Sequence, residues 1–136
     1  MTYTQTGSAA RTSLIVVLVI CGLLAVAVML LPKGFSDDLS KIGQGMAVVV
    51  LTHDKNSVGS MQFMELLNKV RADYAGMVEF LAVDINTREG QAFSRRQGVG
   101  AVVLVLFGPD GTRQGVLYSG IGEKALRSEI DNIVSP

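Results

Sequence analysis

Met46-Ala-Val-Val-Val-Leu-Thr-His53 is an unbroken apolar run that gives way to Asp54-Lys55-Asn56 and then to Ser57-Val58-Gly59-Ser60. A strand with one wet face would alternate apolar and polar residues. A continuous run of this length reads as a strand buried on both faces. The polar triplet makes a turn, and a helical period starts behind it. Phe63, Leu66, Leu67, Val70 and Tyr74 fall at i, i+3, i+4, i+7 and i+11, which puts one stripe against a core. The spacing predicts a helix over 57–74, with Glu65 and Lys69 paired on its wet side and Gly76 as its stop.

Working outward, 77–85 reads as a second strand, and Asn86 or Thr87 caps a shorter helix through Gln97. A third strand covers 102–107. Gly108-Pro109-Asp110-Gly111 is a hairpin turn, and 114–119 returns as a fourth strand. The last helix spans 123–134, with Leu126, Ile130, Ile133 and Val134 inward. Upstream, 35–45 reads as a short amphipathic helix or tether, with Ser36 as cap and Asp37 and Asp38 at its positive end. The order β-α-β-α-β-β-α implies a sheet that begins parallel and ends antiparallel.

That order of elements, from about Gly45 to Ile133, resembles the thioredoxin fold. The stretches that carry the resemblance are Val48-Val49-Val50, Arg71-Ala72-Asp73-Tyr74, Val83-Asp84-Ile85-Asn86, Gln97-Gly98-Val99 and Leu106-Phe107-Gly108-Pro109-Asp110-Gly111. The expected class is α/β: a thioredoxin-like three-layer α/β/α sandwich with a mixed sheet, preceded by one N-terminal transmembrane helix.

The departures from the family are as informative as the matches. Thioredoxins carry Cys-x-x-Cys where the first strand meets the first helix, and the helix N-terminus stabilises a thiolate there. Counting back from Tyr74, that motif falls on Ser57-Val58-Gly59-Ser60, so both sulfurs are hydroxyls. The family's buried acid aligns with Leu51. Its cis-proline aligns near Ala101 or Val102, and no proline stands there. With all three devices missing, the resemblance implies a redox-inactive member whose former active-site surface, Ser57, Val58, Gly59, Ser60, Ala101 and Val102, is left as a binding surface.

The chain of 136 residues is 49% hydrophobic with mean hydropathy +0.39, yet formally neutral. A basic nucleic-acid binder and a disordered tail are both excluded by those figures. A single cysteine excludes a disulfide framework, a multi-cysteine zinc site and a dithiol motif. Much of the apolar excess lies in one segment: from Leu14 to Leu31 every residue but Gly22 is hydrophobic, and no charge occurs between Arg11 and Lys33. As a helix, 12–32 spans about 30 Å, the thickness of a bilayer core. Ala25-Val26-Ala27 resembles a signal-peptidase site, but Val28-Met29-Leu30-Leu31 continue the apolar run past it. Cys21 follows Ile20, which argues against lipid attachment. The reading is therefore an uncleaved anchor built on Leu14, Val19, Cys21, Leu24 and Leu31.

These readings divide the chain into a polar tail (1–12), a transmembrane helix (13–32), a linker or short amphipathic helix (33–45) and the thioredoxin-like domain (46–136). A short N-terminal tail before an anchor favours a cytoplasmic N-terminus and a periplasmic or other extracytoplasmic domain.

Ser57 and Ser60 are a nucleophile pair on the sharp reading and a helix cap on the bland one. His53, the only histidine, is a base or ligand on the one and an edge residue on the other. Met61 and Met64, with Phe63, are groove or core, and Arg95-Arg96 touch lipid headgroups or only water. Capping, edge, core and solvation are the readings favoured. No catalytic residue, cofactor or metal is expected.

The functional expectation is a non-catalytic, single-span accessory subunit that docks on and stabilises an integral-membrane complex, a respiratory or photosynthetic one being a possible host. The bilayer is its other partner, with no nucleic acid and no evident small-molecule substrate. An anchored chaperone or assembly factor is the alternative, and an enzyme with new chemistry at Ser57, Ser60 and His53 comes third.

Overall fold

A computed structural model describes residues 7–30 and 34–135, in two compact units divided after Gly34. The first contains one helix, α1 (Gly7–Leu30), whose 24 residues rise about 36 Å. It is apolar all round, so no face of it resembles the stripe of a surface helix. The 22 residues Ala9–Leu30 are long and apolar enough to cross a membrane. The helix starts inside the segment expected to be a polar tail, because Ala9 and Ala10 are strong helix formers and Arg11 does not break a helix. Leu14, Val19, Cys21 and Leu24 are exposed along it. Leu31, the last of the expected anchor residues, lies outside the described residues.

The second unit starts at Phe35, before the expected boundary at 46, because 35–45 is packed rather than a free tether. Phe35 packs against the core, and the Ser36 carbonyl accepts from the Ala82 N–H at 2.9 Å. Ser36 thereby bridges Leu81 in parallel, a one-residue rudiment of a further strand. A 3₁₀ turn over Leu39–Lys41 is capped by Asp38, not Ser36; the Asp38 carboxylate accepts from the Ser40 N–H at 3.1 Å and from its hydroxyl at 2.6 Å. Those two hydrogen bonds hold the Asp38 carboxyl below its ordinary value, the hydroxyl contributing most.

The remaining elements are β1 (Ala47–His53), α2 (Val58–Val70), β2 (Val78–Asp84), α3 (Arg88–Gln97), β3 (Val103–Phe107), β4 (Arg113–Tyr118) and α4 (Glu123–Val134). The sheet order is β2-β1-β3-β4. β1 and β2 are parallel, while β3 is antiparallel to both β1 and β4. Side chains alternate along each strand, so the apolar run of β1 supplies two cores. Val49 and Leu51 meet Phe63, Leu67 and Val70 of α2 and Leu126 and Ile130 of α4. Val48 and Val50 meet Phe93 of α3 on the opposite face. Phe93 also packs edge-on to Phe107, ring centroids 6.2 Å apart. Helices on both faces of a mixed sheet give the three layers.

Two local details differ from expectation. α2 tightens into a 3₁₀ turn over Arg71–Tyr74 before Gly76 turns the chain at φ +79°. Tyr74 then points inward, its hydroxyl donating to Asp131 Oδ1 at 2.8 Å; burial first, then that hydrogen bond to a carboxylate, raise its pKa. The Glu65–Lys69 pair does not form. Among the described residues the ion pairs are Lys41–Glu79, Lys55–Asp84 and Arg127 with both Asp73 and Glu123.

Thr87 caps α3, accepting from the Gly90 N–H at 3.1 Å. Gly90 has to be glycine, since a Cβ there would lie 1.9 Å from the Asp84 carbonyl oxygen. Close approach of backbone to backbone sets α3 against the end of β2.

Candidate functional site

At the C-terminal end of β1 the chain must turn from strand to helix within four residues, and side chains satisfy the exposed backbone groups. The Asn56 N–H donates to Asp54 Oδ1 at 3.1 Å, and the Ser57 N–H donates to the Asp54 carbonyl at 3.0 Å. Ser57 takes extended backbone geometry and caps α2, its Oγ accepting from the Ser60 N–H at a long 3.5 Å. Ser60 is fully buried, and its Oγ accepts from the Asp54 N–H at 2.9 Å. Both hydroxyls therefore serve the turn. Neither is hydrogen-bonded to His53, whose half-buried ring has a buried Nδ1 without a partner. A nucleophile activated by a base is not assembled here.

Against this turn sits the loop before β3, and Gly59 marks the contact. A Cβ on Gly59 would lie 3.0 Å from Val102 Cγ1 and 3.9 Å from Ser119 Cβ. Val102 is not part of the strand, as the sequence suggested; it is a kink with φ +61°, the one non-glycine residue with positive φ among those described. For a β-branched side chain this conformation costs about 1–3 kcal/mol. All described peptide bonds are trans.

The strain is held by Thr52, which sequence reasoning passed over. The Val102 N–H donates to the Thr52 carbonyl at 2.8 Å, and the Val103 N–H donates to Thr52 Oγ1 at 3.0 Å. The Thr52 hydroxyl donates to the Gly100 carbonyl at 2.9 Å, with the Val103 carbonyl at 3.1 Å as the alternative acceptor. A threonine at the end of a buried apolar strand was the available signal, because a fully buried hydroxyl has to find partners.

Ser57, Val58, Gly59 and Val102 thus come together on one surface. Ser60 is drawn beneath it. Ala101 is exposed and borders a separate cleft against α3, with Ile85, Gln91, Ser94 and Arg95. On the other side of Gly59 a shallow cleft of about 120 Å³ runs between α2 and the segment Ser119–Ile121. Val58 is 64% exposed, Met61 55% and Tyr118 68%, each next in sequence to a residue that lines the cleft. Of the expected methionine–phenylalanine group, only Phe63 is fully in the core; Met64 packs partly on it and Met61 faces out.

Leu51, expected at the position of the thioredoxins' buried acid, is fully buried in the core beside α2. Arg96 shares a cleft with Asp37, Asp38 and Glu89. Among the described residues no group of His, Cys, Asp and Glu side chains could hold a metal ion.

No known family's sequence pattern matches the chain, and no curated protein sequence is similar to it. The likeness is in structure. A thioredoxin from Thermus thermophilus, solved in solution, aligns with a TM-score of 0.65 over 74% of this chain and 86% of that one, at 19% sequence identity. The part of the chain after α1 has the thioredoxin-like fold: a mixed four-stranded sheet between helices, behind an apolar N-terminal helix of membrane-spanning length.

Proposed function

We propose that this protein is a non-catalytic, single-span membrane subunit, anchored by α1, whose thioredoxin-like domain docks on and stabilises a larger integral-membrane complex. The observation that carries the reading is the use of Ser57 and Ser60. Where the fold's redox members place two thiols, this chain has one hydroxyl capping a helix and one buried under a turn. A hydroxyl forms no disulfide, and the one cysteine lies in α1. With thiol–disulfide exchange gone, binding is the function left to the surface. The N-terminus stays in the cytoplasm and the domain is extracytoplasmic.

A second reading is favoured by the exposure of Val58 and Met61 beside the Gly59–Ile121 cleft. An exposed methionine suits adaptable contacts, so an anchored assembly factor could hold clients transiently on the same surface.

Extraction in mild detergent followed by size separation tests the two. A stoichiometric complex that survives extraction supports the subunit, and substoichiometric, exchanging partners support the assembly factor. A protein leaving the membrane alone as a monomer sinks the subunit reading. Topology is read separately, by labelling Ser57→Cys with an impermeant thiol reagent in a Cys21→Ser background. Labelling from the cytoplasmic side alone would reverse the orientation.

A further inference from the structure

Phe35 opens the domain and follows Leu30, the last residue of α1, by five positions in the sequence. The guanidinium of Arg71 lies over the Phe35 ring, 4.7 Å from its centroid. Stacking of this kind uses the face of the guanidinium and leaves its N–H edge open to an acceptor. The next two acids along the chain are taken, Asp73 by Arg127 at 2.8 Å and Glu79 by Lys41 at 2.6 Å, and Glu65 makes no ion pair with Arg71. No carboxylate pairs with Arg71 among the described residues. Exposed Met77 precedes β2, and the Ser36–Leu81 bridge is parallel, so Phe35 lies on the side of that bridge toward the start of β2. A fixed cation with free donors, on the side of the domain where exposed Met77 precedes β2, suits the boundary between headgroups and acyl chains.

We propose that the surface around Phe35 and Arg71 docks on anionic lipid headgroups, with Arg71 binding a lipid phosphate. This rests on α1 being a membrane anchor. Five residue steps separate Leu30 from Phe35 in the sequence, a reach of at most about 17 Å whatever their conformation, so headgroups are present at high local concentration. The other basic pair, Arg95-Arg96, is a poorer fit, because Arg96 shares its cleft with Asp37, Asp38 and Glu89, which would repel a phosphate.

The test uses the full chain in vesicles of phosphatidylcholine and of an equimolar mixture with phosphatidylglycerol. Amide exchange over Arg71–Val78, followed by mass spectrometry, slows by roughly fivefold on the anionic vesicles, the effect of one basic group at a charged membrane surface. Arg71→Gln abolishes the slowing and Arg71→Lys retains most of it, while unchanged exchange in β1 reports an intact fold. Exchange over this segment that is indifferent to lipid charge overturns the proposal, as does a full effect in Arg71→Gln. Protection that appears only when a partner protein is added also overturns it. Failure to float with either vesicle overturns the anchor reading as well; flotation with unchanged exchange overturns this proposal alone.

Discussion

Two segments meet at Gly59, and they are held in opposite ways. The turn from Asp54 to Ser60 is relaxed: extended backbone at Ser57, hydroxyls on nearby N–H groups, and every backbone hydrogen bond closed within six residues in sequence, with the Lys55–Asp84 ion pair its one distant tie. The loop from Gly100 to Val103 is strained, with a β-branched residue at φ +61°, and its partner Thr52 is about 50 residues away. A local cap forms wherever its few residues are present. A strained kink persists only when the surrounding structure over-determines it. The surface therefore owes its shape to Thr52 more than to the serines that first mark it.

The sharpest way to break this contrast is Thr52→Val, which keeps the shape and removes the hydroxyl. The Val103 N–H loses its partner in a buried setting and the part-buried Gly100 carbonyl loses another, and we expect a loss of about 1–3 kcal/mol. Chemical denaturation followed by circular dichroism measures it. Thr52→Ser, which keeps the hydroxyl, should recover much of the difference. A loss no greater than that of a surface substitution would mean the loop holds itself.

A smaller effect tests the contact between the segments. Gly59→Ala gains helix propensity, worth up to about 1 kcal/mol, but pushes a Cβ to 3.0 Å from Val102 Cγ1. In the natural background the variant should be destabilised. With Val102→Ala the neighbour is trimmed, and the same change should become stabilising. Purely additive effects in the double-mutant cycle would show that the two segments do not bear on each other.

The smallest effect concerns the turn's outer anchor. Asp84 accepts from the Asn86 N–H at 2.9 Å and pairs with Lys55 at 3.3 Å, tying the turn to the end of β2. The Asn86 backbone hydrogen bond first, then Lys55 and the Asn86 side chain, hold its carboxyl below the ordinary 3.8. A lowered folded-state value means the contribution is fully present above 3.8 and disappears as the pH falls through the depressed value. Stability measured down this acid limb should fall less steeply in Asp84→Asn than in the natural protein. Identical slopes would leave the pair with no part in holding the turn.

Much of this fold is legible from residue order. The β1 run, the α2 stripe and the Gly108–Gly111 turn each follow from neighbours in sequence, and α4 covers the 123–134 expected for it. The cap at Ser57 was legible for the same reason. Ser60 was only half legible: its place on the first helical turn follows from spacing, while its complete burial depends on how α2 is packed. The segment 35–45 read as a short amphipathic helix or tether, because the bridge at Ser36, the ring under Arg71 and the packing of Leu39 and Ile42 depend on distant residues.

By itself the sequence determined the apolar helix, the alternation of strands and helices, and the two hydroxyls where β1 gives way to α2. Hydrophobic period, turn chemistry and side-chain identity are properties of short windows, and each can be read without knowing what lies across the sheet. Tertiary structure alone decided that Thr52 holds Val102 in a left-handed kink, that Val58 and Met61 face out beside a cleft, and that Arg71 stands over Phe35 without an acidic partner. Each of those depends on residues brought together from distant parts of the chain, and only the packed sheet with its helices sets which of them meet.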